Sequence, residues 1–402
     1  MHGLSGISIK LAKFNMIIPY GRQDINHDDI DAVNEVLRSD FLTQGPVVPE
    51  FEKAVADYCS AEHAVAVNSA TSALHIACLA LELGPGDYMW TSATTFVASA
   101  NCGLYCGAKV DFVDIDPRTY TISVEHLEEK LIGAKKSGKL PKIVIPVHLC
   151  GQSCDMVRIF ELSQQYGFKI IEDAAHAIGG KYKGKPIGNC RYSDITVFSF
   201  HPVKIITTGE GGMGLTNDSV LADRMQQYRS HGITSDASQM LHRPQSEIWN
   251  YQQIRLGYNY RMTDIAAALG LSQITRLDSF VEKRHQIAQR YNEALSGLML
   301  QLPFQHPDNY SSYHLYPVRI KSGYSSSTQR EVYDALQSSG INVNLHYIPV
   351  YRHPYFESMG FRKGHCPEAE CYHEEALSIP VFPTLRDEDQ KKVISLLHQM
   401  LS

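Results

Sequence analysis

The sequence has no long apolar run and no clear export signal. None of its 402 residues belong to a stretch of about 18 apolar residues, so no membrane-spanning helix is predicted. Lys10 and Lys13 interrupt the apolar N-terminal stretch, and no convincing cleavage site follows, which is a poor match to a signal peptide. We therefore expect residues 1–19 to form an N-terminal extension and the protein to be cytoplasmic.

An excess of basic charge is also missing. The net charge of −6 and the pI near 6.3 argue against general binding of nucleic acid or of membrane surfaces, which needs a basic face. The nine cysteines are an odd number without a C-x-x-C pair, which indicates reduced thiols. Cys150 and Cys154 lie near His148, but no second histidine pair accompanies them, so we predict no metal site.

Linkers, repeats and low-complexity segments are absent as well, which indicates one compact, interlocked unit. Strands and helices alternate regularly from residue 64 onward, and this order predicts an α/β fold with a mostly parallel sheet covered by helices on both faces. The last part of the chain predicts a small α+β domain. The expected division is a large domain at 20–270 and a small domain at 271–402.

One lysine stands at a place where such sheets bind ligands. Ile195–Phe200 alternates and is rich in β-branched and aromatic residues, so it is predicted to be a buried strand. A short polar turn carries Lys204, and the glycines of 209–214 follow, where the backbone can bend sharply. A lysine just past the carboxyl end of a core strand can enter the ligand crevice. The ordinary alternative is a solvated surface lysine.

Other chemically useful side chains follow predicted strands in the same way. These are Thr71, Phe96, His148, Asp173, Ser199 and Lys204. The segment Asn68–Ser72 joins a strand to a helix, where hydroxyl residues cap the helix and its free N–H groups can bind an anion. A phosphate cradle, an aromatic ring, a carboxylate and a lysine at one sheet edge suit pyridoxal phosphate, whose ring nitrogen an acidic residue holds.

Five further predictions concern secondary structure. We expect a helix at Ser123–Leu131 followed by a solvated basic loop at Lys135–Lys142, a long polar loop at Ser230–Tyr258, and one long helix at Met262–Leu277. Near the C-terminus, Val343–Tyr347 is predicted to be a strand.

Four segments together resemble the DegT/DnrJ/EryC1/StrS sugar-nucleotide aminotransferases over nearly the whole chain. They are NSATSALH at 68–75, EDAAHAIG at 172–179, SFHPVKIITTGEGG at 199–212 and GYNYRMTDIAAALG at 257–270. The resemblance implies a fold-type I enzyme that depends on pyridoxal 5′-phosphate, with a seven-stranded sheet in its large domain. One departure is Ile205, where relatives often have proline, while the lysine and the glycine cluster remain.

Four more segments resemble those members of the family that act in pseudaminic acid biosynthesis. They are LRSDFLTQG at 37–45, YRSHGI at 228–233, YHLYPV at 313–318 and LHYIPVY at 345–351. Such enzymes aminate C4 of UDP-4-keto-6-deoxy-N-acetyl-L-altrosamine with L-glutamate as the amino donor. The resemblance therefore implies a UDP-linked keto sugar and glutamate as the small-molecule partners.

The resemblance also assigns roles to single residues. Lys204 would be the catalytic Schiff-base lysine, and Asp173 would pair with the pyridine nitrogen. His176 would lie near the phenolic oxygen and Phe96 on the ring. The residues implied to hold the phosphate are Ala70, Thr71, Ser199 and, from the partner subunit of a homodimer, Asn259. The residues implied to contact the nucleotide sugar are Tyr20, Phe41, Leu42, Thr43, His314, Leu315, Tyr316 and Pro317. The alternative for these positions is a packing role.

Three alternatives stay open at this point. Sugar dehydratases of the same group carry histidine in place of the lysine, so Lys204 favours amino transfer. Another 3-keto or 4-keto hexose linked to UDP or dTDP would suit the same residues. A non-catalytic regulator that binds the cofactor would be expected to lose Lys204 or Asp173, and the sequence has both.

Overall fold

The computed structural model describes residues 17–242, 251–321 and 327–401. Residues 1–16 of the predicted N-terminal extension lie outside the described residues. Residues 243–250 of the predicted loop at 230–258 also lie outside them. Within the described ranges, no helix is both long enough and apolar enough to cross a bilayer.

A seven-stranded sheet forms the centre of the larger part of the molecule. Its strands are β1 (His63–Val67), β2 (Tyr88–Ser92), β3 (Lys109–Val113), β4 (Ile143–Ile145), β5 (Lys169–Asp173), β6 (Ile195–Ser199) and β7 (Gly212–Thr216). Their order across the sheet is β1-β7-β6-β5-β4-β2-β3, and only β7 runs antiparallel to its neighbours. The α/β class with a mostly parallel sheet is thus confirmed.

Helices cover both faces of this sheet, because its strands are apolar on both sides. The helices of this part are α1 (His27–Leu37), α2 (Val47–Cys59), α3 (Ala70–Ala80), α4 (Ala98–Tyr105), α5 (Val124–Ser137), α6 (Met156–Tyr166), α7 (Ser219–Arg229) and α8 (Asp264–Ile274). One face packs against α3, α4 and α7. The other face packs against α2 and α8 at one end and against α5 and α6 at the other.

The C-terminal part has its own hydrophobic core. It contains α9 (Leu277–Leu295), β8 (Tyr316–Arg319), α10 (Gln329–Ser338), α11 (Pro354–Ser358), α12 (Pro367–Glu375), β9 (Ala376–Ile379) and α13 (Asp387–Leu401). The start of α9, at Leu277 and Val281, packs in the core of the large sheet, whereas Ile287 and Leu295 pack in the C-terminal core. The packing therefore changes along α9, and a division at residue 270 stays a prediction.

Several local predictions are wrong. Helix α5 continues to Ser137, so the basic run begins inside a helix whose C-cap is Gly138 in the left-handed region. The expected long helix at 262–277 is two helices, α8 and α9. Val343–Tyr347 makes one isolated bridge, at Asn344, and no strand. The glycine-rich Gly212–Thr216 is a fully buried central strand, where small residues allow close packing.

Candidate active site

A cavity of about 1130 Å³ opens at the carboxyl ends of the central parallel strands. This is the edge at which open α/β sheets bind ligands. The predicted site residues that line it are Tyr20, Ala70, Thr71, Phe96, Asp173, His176, Ser199 and Lys204. These residues are spread between positions 20 and 204, and the fold gathers most of the cofactor positions named from sequence around one cavity.

Lys204 enters the cavity from a tight turn after β6. The turn is fixed by hydrogen bonds from the backbone N–H of Lys204 to the carbonyl of His201 (2.8 Å) and from Thr207 Oγ1 to the carbonyl of Phe200 (2.9 Å). Burial of the amine lowers the pKa of Lys204 to about 8, although the charge of Asp173 acts in the opposite direction. The amine is therefore much closer to neutrality at physiological pH than an ordinary lysine.

Asp173 ends β5, and its carboxylate is held in a fixed position. Oδ2 accepts a hydrogen bond from Ser99 Oγ (2.6 Å), and Oδ1 accepts one from the backbone N–H of Ala175 (3.1 Å). The carbonyl of Asp173 accepts from the backbone N–H of His148 (3.0 Å), which ties the strand end to its neighbour. The acidic group thus faces the cavity on a rigid element and is only 5% exposed as a residue.

The N-terminus of α3 forms an anion cradle in the same wall. Ser69 is the N-cap, and its hydroxyl accepts a hydrogen bond from the backbone N–H of Ser72 (3.1 Å). The first N–H groups of a helix have no partner inside it, so those of Ala70 and Thr71 are available to an anion. Strand β7 passes very close here: a Cβ on Gly212 would lie 2.4 Å from the nitrogen of Ala70, so only glycine fits.

Aromatic rings form the remaining wall. Phe96 is 57% exposed although it lines a cavity, which is typical of a ring that stacks on a ligand. Its ring centroid lies 6.2 Å from that of Tyr347. Both rings and Asp173 line the same cavity, and the exposed face of Phe96 suits a planar heteroaromatic group.

The hydrogen bonds around His176 settle which nitrogen carries its proton. Nδ1 accepts from the backbone N–H of Cys150 (3.3 Å), so the proton lies on Nε2, 3.2 Å from the hydroxyl oxygen of Tyr347. Burial and the nearby charge of Lys204 lower the pKa of His176 well below its ordinary value, so the ring is neutral. Because Tyr347 accepts from His176, its own O–H can donate into the cavity.

Other residues predicted from sequence lie elsewhere. Phe41, Leu42, Thr43 and Asn259 are exposed and do not line the cavity of this chain. Tyr316 and Pro317 are buried within β8, which pairs with β9, and Leu315 is buried in a separate cluster with Phe112 and Tyr351. His314 packs behind His176, with ring centroids 4.3 Å apart. His148 shares the expected sheet edge, but its side chain turns away and bonds Glu172 instead of entering the cavity.

The structure adds residues that the sequence argument did not single out, one of them behind the cavity wall and three that line it. Ser99 orients Asp173, and Asn344, His346 and Tyr347 line the wall opposite the sheet. Ser99 follows Thr95 by four residues, and their hydroxyls are 2.8 Å apart, so helical spacing could have suggested this pair. Tyr347 is 171 residues from His176, and no local pattern could have joined them.

Comparison with known proteins identifies the family. The model of the DegT/DnrJ/EryC1/StrS aminotransferase family matches residues 23–398. The chain belongs to this family. It is 38% identical over 392 residues to the spore coat polysaccharide biosynthesis protein SpsC of Bacillus subtilis, covering 97% of this chain and 98% of that protein. It is 36% identical to the UDP-4-amino-4,6-dideoxy-N-acetyl-beta-L-altrosamine transaminase of Campylobacter jejuni, covering 96% of this chain and 98% of that protein.

Solved aminotransferase structures have the same fold. Helicobacter pylori PseC, described as an aminotransferase in the biosynthesis of pseudoaminic acid, superposes with a TM-score of 0.86 at 28% identity, covering 96% of this chain and 99% of that chain. The PLP-form of the putative sugar aminotransferase Spr1654 from Streptococcus pneumoniae gives a TM-score of 0.85 at 30% identity, covering 96% of this chain and all of that one.

Proposed function

We propose that this protein transfers an amino group from L-glutamate to the C4 keto group of a UDP-linked 4-keto-6-deoxy-N-acetylhexosamine, with pyridoxal 5′-phosphate as cofactor. The observation that carries the proposal is the placement of Lys204 and Asp173 in the wall of one cavity that also contains a helix N-terminus. Membership of the family and the PLP-form of a similar structure support the choice of cofactor.

The residues present fit this cofactor. The N–H groups that begin α3 and the hydroxyl of Ser199 suit a phosphate, the exposed ring of Phe96 suits a planar heterocycle, and Asp173 suits a protonated ring nitrogen. When bound, pyridoxal phosphate supplies a carbonyl carbon for amines and a ring that takes up negative charge from the substrate carbon.

The protein's own groups then have distinct tasks. The amine of Lys204 holds the cofactor and, once an amino acid takes its place, moves the proton at the donor's Cα, for which a pKa of about 8 is well suited. The carboxylate of Asp173 keeps the ring nitrogen protonated and so stabilises developing negative charge. Tyr347 and the neutral His176 supply hydrogen bonds at the opposite wall.

For the sugar we propose the L-altrosamine configuration of pseudaminic acid biosynthesis. The Campylobacter jejuni relative and the Helicobacter pylori structure support it. The second candidate is another UDP- or dTDP-linked keto-deoxysugar. It is supported by the spore coat polysaccharide biosynthesis protein, to which the identity is 38%, against 36% to the altrosamine transaminase. The presence of Lys204 weighs against a dehydratase.

We also propose a homodimer with shared active sites. Phe41 and Leu42 expose about half of their apolar surface on a loop, at 54% and 45%, as expected of residues that a second copy covers. Asn259 is exposed on a neighbouring segment, where it is available to the partner's phosphate site rather than to the cavity of its own chain.

A coupled assay tests the proposed reaction. Release of 2-oxoglutarate from glutamate is measured with a panel of UDP- and dTDP-linked 3-keto and 4-keto sugars. We expect the UDP-4-keto-6-deoxy-N-acetyl-L-altrosamine to give the highest kcat/KM, and Lys204→Ala to abolish turnover. The matched control is Lys183→Ala, because Lys183 lies on the surface near Asp308. A higher kcat/KM for a dTDP-linked sugar would contradict the proposed substrate. Turnover by Lys204→Ala would contradict the proposed role of Lys204.

A further inference from the structure

Asp264 is a buried carboxylate outside the cavity, at the first residue of α8. It accepts three hydrogen bonds from the backbone of a segment that is distant in the sequence. Oδ2 accepts from the N–H of Gly45 (2.8 Å), and Oδ1 accepts from the N–H groups of Val47 (3.0 Å) and Val48 (3.3 Å). One side chain therefore holds both the start of α2 and the loop that precedes it.

Helix α2 depends on this distant carboxylate because it has no side-chain cap of its own. Its N-cap residue is Pro46, which offers no side-chain acceptor to the free N–H groups of the first turn. The preceding residues 41–45, which we call the 41–45 loop, are tightly folded: a Cβ on Gly45 would lie 2.5 Å from the Cβ of Phe41. The position of this loop is therefore set by Asp264.

The backbone around Asp264 attaches the 41–45 loop a second time. The N–H of Asp264 donates to the carbonyl of Leu42 (3.0 Å), and Thr263 forms an antiparallel bridge with Thr43. Asn259 lies in the same segment, a few residues before Asp264. The 41–45 loop and the segment that carries Asn259 are thus joined at one point, which is Asp264.

We propose that Asp264 is a positioning residue that acts on the active site of the other subunit in a homodimer. The inference rests on the proposed function, in which two subunits share their active sites. Phe41, Leu42 and Asn259 are exposed and do not line the cavity of their own chain. Holding them in a fixed arrangement therefore serves the cavity of a second copy. The ordinary alternative is a helix cap that stabilises only its own chain.

Asp114 provides a matched control, because it caps another helix in the same way. Its Oδ2 accepts from the backbone N–H of Glu368 (2.9 Å) and its Oδ1 from that of Ala369 (2.9 Å), at the start of α12. The N-cap of α12, Cys366, likewise makes no side-chain cap bond. Asp114→Asn therefore weakens a distant helix cap of the same kind without touching the 41–45 loop.

The first measurement is the dissociation constant of the homodimer, which does not depend on the reaction. Sedimentation of a dilution series compares the wild type with Asp264→Asn and Asp114→Asn. The amide of Asp264→Asn places a donor against backbone N–H groups, so we expect the dissociation constant to rise about tenfold. Asp114→Asn should leave it unchanged. A monomeric wild type, or equal constants in all three proteins, would overturn the proposal.

The second measurement uses heterodimers isolated through two different tags. In the first pair, Lys204→Ala is on one chain and Asp264→Asn on the other. We expect about half of the wild-type activity, because the cavity that keeps Lys204 meets an unaltered 41–45 loop. In the second pair, one chain carries both substitutions and the other is wild type. Its activity should be much lower, because the cavity with Lys204 meets the altered loop. Equal activities or the reverse order would overturn the proposal.

Two other outcomes are kept separate from this test. A wild-type homodimer that transfers no amino group would contradict the proposed function, while the dissociation constants still test the role of Asp264. If Asp264→Asn lacks a native circular dichroism spectrum, Gly45→Ala replaces it in both measurements. The added Cβ displaces Phe41 and leaves the carboxylate of Asp264 in place, so the same order of results is expected.

Discussion

Two neighbouring carboxylates on β5 point to opposite faces of the sheet and differ in their hydrogen bonds. Glu172 points away from the cavity and is fully engaged: it accepts from Nε2 of His148 (2.6 Å), from Ser193 Oγ (2.5 Å) and from Thr196 Oγ1 (3.1 Å). Asp173 points into the cavity and accepts from Ser99 Oγ and the N–H of Ala175, which leaves acceptor directions open toward the cavity. Strand alternation alone separates a structural acid from one that can act on a ligand.

The two sides differ in their basic groups as well. On the Glu172 side, the backbone N–H of Cys154 donates to Nδ1 of His148 (3.2 Å), so this imidazole is saturated by its neighbours. On the Asp173 side, the amine of Lys204 is desolvated without a close ion pair, and its pKa falls to about 8. A saturated pair stabilises the fold, whereas an unsaturated pair facing a cavity is available for chemistry.

The largest expected difference between the sides is in turnover. Asp173→Asn keeps one oxygen, which can accept from Ser99 or from the N–H of Ala175 but not from both, since these donors use different carboxylate oxygens. The substitution also removes the charge that would face the ring nitrogen of the proposed cofactor. We expect kcat to fall by about 10³-fold, as when a group that stabilises developing charge is removed, with an unchanged circular dichroism spectrum. Kinetics on the purified variant check this. Turnover within a few fold of wild type would contradict the assignment of Asp173.

The second expected effect concerns the pH at which the protein without cofactor captures pyridoxal phosphate. Only the neutral amine of Lys204 is nucleophilic, so the capture rate should rise with pH around a midpoint near 8 rather than 10.5. Because the charge of Asp173 raises the pKa of Lys204, Asp173→Asn should move the midpoint lower, and Glu172→Gln should leave it in place. Stopped-flow absorbance measures the rate; equal midpoints in wild type and Asp173→Asn would refute the coupling.

The third expected effect is a loss of stability. It concerns Glu172, whose side chain points away from the cavity. Glu172→Gln weakens three hydrogen bonds to a buried charge, so we expect a loss of about 2–3 kcal/mol in the free energy of unfolding with nearly normal kcat. Burial raises the pKa of Glu172, but the bonds from His148, Ser193 and Thr196 bring it below 4.5. The stabilisation is therefore complete above pH 4.5 and lost as pH falls through the folded pKa.

Urea unfolding at several pH values checks this sign. The difference in the free energy of unfolding between wild type and Glu172→Gln should be largest near pH 7 and should decrease below pH 4.5. A gap that widens in acid would mean that the carboxylate is not the stabilising form.

The smallest effect concerns the wall opposite the sheet. Tyr347→Phe keeps the ring near Phe96 but removes the acceptor for Nε2 of His176. We expect about a tenfold loss of kcat/KM, equivalent to about 1.4 kcal/mol for one hydrogen bond. The matched control is Tyr351→Phe, because that buried hydroxyl bonds Glu370 outside the cavity. Equal losses in both variants would indicate a packing effect only.

Sequence reasoning found the fold class and the cavity-facing residues Lys204 and Asp173 because both stand directly after apolar strands, where periodicity is a strong local signal. It missed β7 because Gly212 and Gly214 conceal a strand, in which Gly212 lies against the start of α3 and Gly214 against Met225 of α7. It missed Tyr347 because that contact joins distant segments, and Val343–Tyr347 was wrongly predicted to be a strand. Local sequence patterns therefore predict the secondary structure and the fold class. Which loop residues line the cavity depends on contacts between distant segments, which no local pattern shows.

The central claim is that Lys204 and Asp173 hold opposite ends of one ring. A crystal structure of the protein with pyridoxal phosphate tests it most directly. We expect the ring between Phe96 and the sheet edge, its nitrogen within hydrogen-bonding distance of the carboxylate of Asp173, and its carbonyl carbon bonded to Nζ of Lys204. A ring bound elsewhere, or a covalent bond to any other lysine, would contradict the account.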